Sequence, residues 1–581
     1  MTIQLKAFQN GDDVFLAWRS SKFIDECRGF AVELRRNGKS EYLETYAGFE
    51  DEVWKRGDKK PSTKWPVQKF SWTHYTARPG DTVSYRIIPM VGPRTQLTPK
   101  VGEASEWSKL MKVDPEVSSR FSVFFNRGIV ASQWVQQLLG ADKSSKAKRA
   151  RLDRVVVDLK KPKERNALAG ELRVGLLNLL HDAKRKNRKV FAALFELTDP
   201  ELLEALKALK KRAYVVLANG TLPKKKKKGA EEDDNDVPAN PRASKDENFD
   251  ARDKLNGAGV EVHDRMSAPR FLAHNKLLVV CDDQGVPRRT WTGSTNWTPS
   301  GLCTQANNGI LIDDKDVADR CMRQIRRLGI AGNEAPSGLV SENSKPSSFK
   351  IGSTQLTLWF TRTKNQVDLE DAKKYIAAAE EGAIFLMFQT GATKSLLEAV
   401  MNRRTEKDFF VHGVISTPPQ EGGKKKGKKK KLTAEEAMAR RVAFVHKNER
   451  VRYAPDLLLP FAREKRTEQW FDEFVKKNGA HAIVHSKIIV LDPQGKRPVV
   501  MTGSHNMGTT ASKTNDENLL IVAGNEELAA AYAVNIMSIY NSYRWRYRVA
   551  QGSKWKGSWD NDRWQRSYLT GDGRQEIDFW M

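Results

Sequence analysis

Hydrophobic and polar residues alternate in short runs through the first hundred-odd positions. Val14-Phe15-Leu16-Ala17-Trp18, Gly29-Phe30-Ala31-Val32-Glu33-Leu34 and Thr82-Val83-Ser84-Tyr85-Arg86-Ile87-Ile88 are of strand length and are separated by turn-forming residues. Regular short strands of this kind predict a β-sandwich. From about residue 116 the pattern changes to apolar strands alternating with helical stretches, and the new pattern occurs twice. Phe121-Ser122-Val123-Phe124-Phe125 opens one copy and Leu356-Thr357-Leu358-Trp359-Phe360 the other. Each is followed by a helix (165–186, 369–380), an apolar strand (190–195, 383–388), a short helix (201–206, 395–400) and a third strand (213–218, 409–415). Strands separated by helices predict parallel sheets with helices on their faces. The same order met twice predicts an internal duplication. The tail, with Trp555, Trp559, Trp564 and Trp580, is expected to pack on the second copy.

The N-terminal part resembles a fibronectin type III module. Trp18 stands where such modules bury a tryptophan, Pro79-Gly80-Asp81 leading to Tyr85 looks like a tyrosine-corner approach, and Ala104-Ser105-Glu106-Trp107-Ser108 looks like the last strand. The resemblance implies a binding or positioning unit, not a catalytic one. The expected architecture is multi-domain: an all-β sandwich over residues 1–115, then two duplicated α/β lobes over 116–345 and 346–581.

Composition adds a strong charge. The chain has 581 residues, 39% hydrophobic and 29% charged, with a formal net charge of +27. Lys224 to Lys228 and Lys424 to Lys431 contribute five and seven lysines, and without them the chain is still at +15. Both runs fall just after the third strand of their copy, in polar stretches (about 222–254 and 418–436) that read as mobile loops. A surplus of this size predicts attraction to a polyanion, either nucleic acid or an anionic phospholipid surface. Cys27, Cys281, Cys303 and Cys321 have neither metal-site nor disulfide-framework spacing, so reduced thiols are expected. No apolar run reaches the roughly 18 residues of a membrane span. Nor does the N-terminus read as a signal peptide. A cytoplasmic monomer is expected, with leaderless export left open.

Each copy ends in a strand carrying the same constellation. The first reads His274-Asn275-Lys276-Leu277-Leu278-Val279-Val280, then Gly293-Ser294-Thr295-Asn296. The second reads His485-Ser486-Lys487-Ile488-Ile489-Val490-Leu491-Asp492, then Gly503-Ser504-His505-Asn506. His and Lys two apart on a strand project to one side, where burying them without a purpose would be costly. A phosphodiester needs fixed cations and donors around its non-bridging oxygens, a task for Lys276, Lys487, Asn296 and Asn506. One histidine can attack phosphorus to give a phosphohistidine while the other protonates the leaving oxygen. No Asp, Glu, His or Cys cluster has metal-ligand spacing, so neither metal nor other cofactor is expected.

These paired strands resemble the phospholipase D superfamily over about residues 116–581. The resemblance implies two α/β lobes packed about a pseudo-twofold axis, with one active site on their seam. The family's aspartate five residues after the lysine is present as Asp492, whereas the first copy has Cys281 there and Asp282 next. Glu517 looks like the family's histidine-orienting carboxylate. The matching Asn307-Asn308-Gly309 has none. Such partners cross the seam in the family, which implies that Glu517 orients His274 as nucleophile and leaves His485 as acid/base. Ser294, Asn308 and Ser504 are expected in support. Trp297-Thr298 resembles nuclease-like members. A nuclease is therefore the leading expectation. A phospholipase D cleaving phospholipid headgroups and a polyanion-binding protein with a degenerate site are the alternatives.

Overall fold

The computed structural model describes residues 3–53, 58–127, 154–159, 162–218, 246–266, 271–388, 394–406, 408–416, 443–446, 457–458, 484–550, 557–571 and 573–581. Both lysine runs lie outside them. The N-terminal region is rich in sheet. One sheet orders Ile3–Gln9, Val14–Ser20 and Ser71–His74, and a second orders Met111–Lys112, Thr82–Val91, Cys27–Arg36 and Lys39–Tyr42. Val14, Leu16 and Trp18 point into the core between them, where Trp18 meets Phe30 edge-on at 5.5 Å. The alternate residues Phe15 and Ala17 face the opposite way, into the core of the rest of the chain. Tyr85 turns its hydroxyl to His74 Nδ1, 2.8 Å away.

The segment 104–108 is not a strand, contrary to expectation. Ser105 and Ser108 N–H donate to the Ile87 and Tyr85 carbonyls, but the return bonds from Ile87 and Tyr85 N–H go to the two serine hydroxyls. Side-chain oxygens thus take the place of the backbone acceptors a ladder needs. Trp107, between them, lies under the guanidinium groups of Arg35 and Arg86 at 4.3 and 5.3 Å.

Two large sheets follow, and their strand orders match. The first runs Glu116–Ser118, Phe121–Phe125, Asn308–Asp313, Pro287–Gly293, Lys276–Cys281, Val190–Leu194, Ala213–Leu217, Glu261–Asp264. The second runs Ser347–Ile351, Thr354–Phe360, Asn518–Ala523, Val499–Gly503, Lys487–Leu491, Gly382–Met387, Phe410–Ile415, Ala443–His446, Leu457–Leu458. The sheets are mixed rather than parallel. Val190–Leu194 pairs parallel to Ala213–Leu217, but antiparallel to Lys276–Cys281. Lys276–Cys281 is in turn antiparallel to Pro287–Gly293, because only Asp282 to Val286 join them and a parallel return needs a dozen or more residues. The copies also diverge at the far edge. Glu261–Asp264 is parallel to its neighbour, whereas Ala443–His446 is antiparallel.

Val190–Leu194 and Gly382–Met387 are apolar throughout because both faces are buried. Leu277, Val279 and Cys281 enter a core shared with Ile488 and Val490 of the second sheet, whereas Leu278 and Val280 pack under Pro162–Arg185 and Pro200–Lys207. Helix Glu526–Ala550 carries Tyr532, Val534, Ile536 and Tyr540 into the shared core. Tyr543, near the end of that helix, is buried in it too, and Arg544 pairs with Glu576 at 2.7 Å. The side chains of residues 545–548 lie outside the described residues.

The tryptophan-dense tail does not pack mainly on the second copy, as its position in the chain suggests. Instead it straps the N-terminal region to the rest. Trp564 packs edge-on against Phe30 and tilted against Phe70, and donates to Cys27 O at 3.0 Å. Trp580 meets Phe8 and Phe15, and its neighbour Phe579 reaches the second sheet, against Phe410 at 4.2 Å. Trp555 lies outside the described residues. The four cysteines are free and buried. Among the described residues, no helix is long and apolar enough to cross a membrane.

Candidate active site

Each strand of interest starts at its lysine, and its histidine sits on the extended lead-in, where the backbone is held by the other half of the chain. His274 N–H donates to Asp516 O at 2.9 Å, and His485 N–H to Ala306 O at 3.0 Å. Arg265 reinforces the first crossing with a buried ion pair to Asp516 at 2.9 Å. Lys276 and Lys487 share the side of the sheet that Leu278 and Ile489 face, by the two-residue period of a strand. Each ammonium donates to the carbonyl of its own motif histidine, Lys276 to His274 O at 2.7 Å and Lys487 to His485 O at 2.6 Å. Three donors per ammonium leave further N–H groups for another acceptor.

Both histidines, Asn296 and Asn506 line one cavity of about 630 Å³. Phe195 and Phe388 form matched walls, each 4.8 Å from its histidine ring and 4.9 Å from its lysine. They end corresponding strands, and the hydrophobic pattern marks them only as strand residues.

The orienting partners are unequal. Glu517, fully buried, accepts at Oε2 from His274 Nδ1 at 2.8 Å, and its other oxygen accepts from Asn515 Nδ2 at 3.1 Å. His485 Nδ1 lies 2.9 Å from the Asn307 amide oxygen and 3.1 Å from Ser294 O. Asn307 thus holds the place of Glu517. The sequence signal is the neighbour: Ser294 Oγ accepts from Asn308 N–H at 3.1 Å, as Ser504 Oγ does from Asn518 N–H at 3.0 Å, which aligns Asn307 with Glu517. Asn308 itself reaches Thr502 and Tyr532 of the second half. Gly293 and Gly503, at φ of 144° and 135°, let each Gly-Ser-x-Asn turn pass so close that a Cβ would sit 2.3 Å from Asn308 O or Asn518 O.

Asn296 donates from Nδ2 to Glu196 at 2.7 Å, a residue that no motif in the sequence marks. Among the described residues, the amide oxygens of Asn296 and Asn506 have no hydrogen-bond partner. The two aspartates are elsewhere. Asp492 accepts from the N–H groups of Glu380, Glu381 and Gly382. Asp282 is not a shifted copy of it: it caps its own hairpin turn through Gln284 and Val286 N–H, while Cys281 points into the core.

Burial governs the titration of the cluster. Desolvation lowers His274 to about 4 although Glu517 pulls it up, and lowers Lys276 to about 7 against the pull of Glu517 and Glu196. His485 is driven well below the usual imidazole value by burial and then by Lys487 and Lys276, and Lys487 is lowered in the same way. Burial raises Glu517, but the charge and hydrogen bond of His274, together with His505 and Lys276, hold it below the ordinary carboxylate value. The resting imidazoles are therefore neutral, which suits a nucleophile, and an incoming anion would raise both lysines and His485. Among the described residues, no three His, Cys, Asp or Glu side chains are grouped to hold a metal ion.

None of the curated proteins matches the chain by sequence. Solved structures align with it at low identity. Phosphatidylserine synthase from Haemophilus influenzae Rd KW20 is 10% identical over 65% of this chain and 84% of its own, with a TM-score of 0.38. Polyphosphate kinase from Porphyromonas gingivalis is 9% identical over 65% of this chain at a TM-score of 0.36, and the chain spans only 53% of it. Nuc from Salmonella typhimurium, a phospholipase D family member, is 20% identical over 28% of this chain and 91% of its own, with a TM-score of 0.20. A family model described as "Cardiolipin synthase, PLD-like domain" matches residues 176–328 and 427–539, and one His-x-Lys pair falls in each segment. The chain thus carries a phospholipase D-like domain in two segments.

Proposed function

We propose that the chain is a phosphodiesterase acting on nucleic acid through a covalent phosphohistidine, without a catalytic metal. The observation that carries the reading is the single cavity that His274 and His485 line from two separate halves of the chain, with the buried Lys276 and Lys487 close enough to lower His485. Lys276, Lys487, Asn296 and Asn506 hold the non-bridging oxygens. His274 attacks phosphorus, and Glu517 stabilises the positive charge that its ring gains. His485 gives its proton to the leaving oxygen and then takes one from the water that releases the product. The net charge of +27 and the lysine runs of both halves favour a polyanionic substrate. In this reading residues 1–115 are a fibronectin type III-like positioning unit, and 116–345 and 346–581 are duplicated lobes about a pseudo-twofold axis, so a monomer holds a complete site.

A second reading, a phospholipid substrate, is favoured by two observations. The matching family model is described by cardiolipin synthase. The cavity rim carries Val157 and Leu272, apolar side chains 44% and 39% exposed. Labelled single-stranded DNA, duplex DNA, RNA and phosphatidylglycerol vesicles, each incubated with the protein in EDTA, separate the readings. Cleavage of a nucleic acid is expected; cleavage of the vesicles alone moves the assignment to phospholipid. His274→Ala and His485→Ala should each lower turnover by several orders of magnitude, with the double variant hardly worse. Near-full activity in either single variant would sink the shared site.

A further inference from the structure

Glu196 follows the strand Val190–Leu194 and sits in a clasp of backbone bonds to the Gly-Ser-x-Asn turn. Trp297 N–H donates to Glu196 O at 3.2 Å, and Thr198 and Asp199 N–H donate back to Trp297 O at 3.0 and 2.9 Å. Asn248 pins the same loop from behind, accepting from Leu197 N–H and donating to Phe195 O. The Glu196 carboxylate and the Asn296 amide are thereby held together on rigid backbone, 2.7 Å apart, at the wall of the cavity that His274 lines.

We infer that Glu196 is a positioning residue of the phosphoryl site: its carboxylate fixes the Asn296 amide and helps to keep Lys276 a cation. The inference rests on the phosphodiesterase reading above. An ionised carboxylate only accepts, so it selects the amide orientation with Nδ2 towards Glu196 and leaves the second N–H of that nitrogen for a phosphoryl oxygen. A protonated Glu196 could donate to the amide oxygen instead, and the orientation would no longer be imposed. The second half offers no equivalent by sequence, since Phe388 is followed by Gln389.

The charged groups facing Glu196 are Lys276, which lowers it, Glu247, which raises it, and Lys487 from the other half, which Glu196 in turn supports. Burial dominates and brings it to about 6. Protonation of Glu196 therefore falls within the working range of an enzyme, and activity should fall as pH drops through that value.

The test is the pH dependence of kcat and KM for bis(4-nitrophenyl) phosphate in EDTA. Wild-type kcat should decline below about pH 6. Glu196→Gln should lose that acid limb and bring the alkaline decline to lower pH, because one of the carboxylates supporting Lys276 is gone. Glu196→Ala should lower kcat roughly 10- to 100-fold, the loss of one hydrogen bond to a charged group, with little change in KM. Glu247→Gln should move the acid limb to lower pH and leave the alkaline plateau alone. Unshifted limbs in Glu196→Gln overturn the inference, as do equal losses in the Gln and Ala variants at every pH, which a packing role would give. Wild-type protein inert towards this diester, or His274→Ala at full activity, would instead count against the phosphodiesterase reading. The same hydrogen bond can be read without turnover by infrared difference titration. A carboxyl ionising near pH 6 should vanish in Glu196→Gln and move up in Asn296→Ala; its persistence in Glu196→Gln overturns the inference.

Discussion

Glu517→Gln tests the division of labour between the two histidines. The substitution keeps the volume of a fully buried side chain and one accepting oxygen, so the fold should survive, but it removes the charge 2.8 Å from His274 Nδ1. A hydrogen bond to a charged group is worth roughly 1.5–3 kcal/mol, so phosphohistidine formation should slow by roughly 10- to 150-fold. Asn307→Ala removes only a neutral acceptor from His485 and leaves Ser294 O within 3.1 Å of the same nitrogen. Its cost should be roughly 0.5–1.5 kcal/mol, about 2- to 12-fold. Rapid-quench single turnover of bis(4-nitrophenyl) phosphate separates nitrophenolate release from later hydrolysis, and digestion of the quenched protein locates the label. The pH profile has a defined direction. Glu517 raises His274, so its loss lowers that value further, and the nucleophile stays unprotonated to lower pH in the variant than in the wild type. The reasoning fails if Asn307→Ala slows formation more than Glu517→Gln, or if the phosphate label sits on His485.

Replacing Lys224 to Lys228 and Lys424 to Lys431 with Gly/Ser should weaken nucleic-acid binding and flatten its salt dependence, by a slope of about 0.9 for each duplex phosphate no longer neutralised, with little change in turnover at saturating substrate; identical slopes retire a capture role. Trp580→Ala empties a site between Phe8 and Phe15 and should cost about 3–5 kcal/mol by denaturant titration, with Trp559→Ala, half-exposed, costing far less. His74 is lowered to about 4 by burial and then by Arg36, so the unfolded chain takes up its proton first. Its contribution to stability is full above about pH 6.5 and is lost as pH falls to 4, roughly 3 kcal/mol that His74→Gln should remove from the pH dependence of thermal melting.

The placing of each histidine and lysine side by side was legible because it is local. His274 and Lys276, and His485 and Lys487, are two residues apart, and a strand turns that spacing into a shared face whatever the surroundings. The repeated element order was legible for the same reason. Strand direction was not, because Val190–Leu194 and Lys276–Cys281 pair with two other strands between them in the chain, and no local pattern fixes the sense of such a pair. The packing of Trp564 and Trp580 on strands near the N-terminus joins residues more than 500 positions apart, and no periodicity encodes it. Glu196 and Asn307 escaped for a mixed reason. Each touches a motif residue, but the bonds span 100 and 178 positions. For Asn307 only the alignment of Asn308 with Asn518 gave a local clue.

The cluster also explains why a duplicated chain need not have two equivalent sites. Each half supplies a histidine, a lysine, an asparagine and an aromatic wall, but the carboxylates are not shared out evenly: Glu517 bonds His274, and Glu196 bonds the asparagine of that same half-motif. His485 rests on a neutral amide and a carbonyl, facing two ammonium groups that push its proton off. Positive charge is therefore less disfavoured at His274 than at His485 until an anion arrives between the lysines. In the proposed mechanism a phosphodiester brings that anion. It raises His485 towards the protonated form a general acid needs, while His274, still neutral, faces phosphorus. After attack the order inverts: the phosphorylated ring of His274 is the positive one, and Glu517 is already beside it, whereas His485 has given up its proton and can take one from water. A symmetric pair of partners would stabilise both charge states on both rings and would favour neither direction of proton flow. In that mechanism Asn307, standing where its counterpart is Glu517, is a functional difference between the copies and not an erosion of one of them.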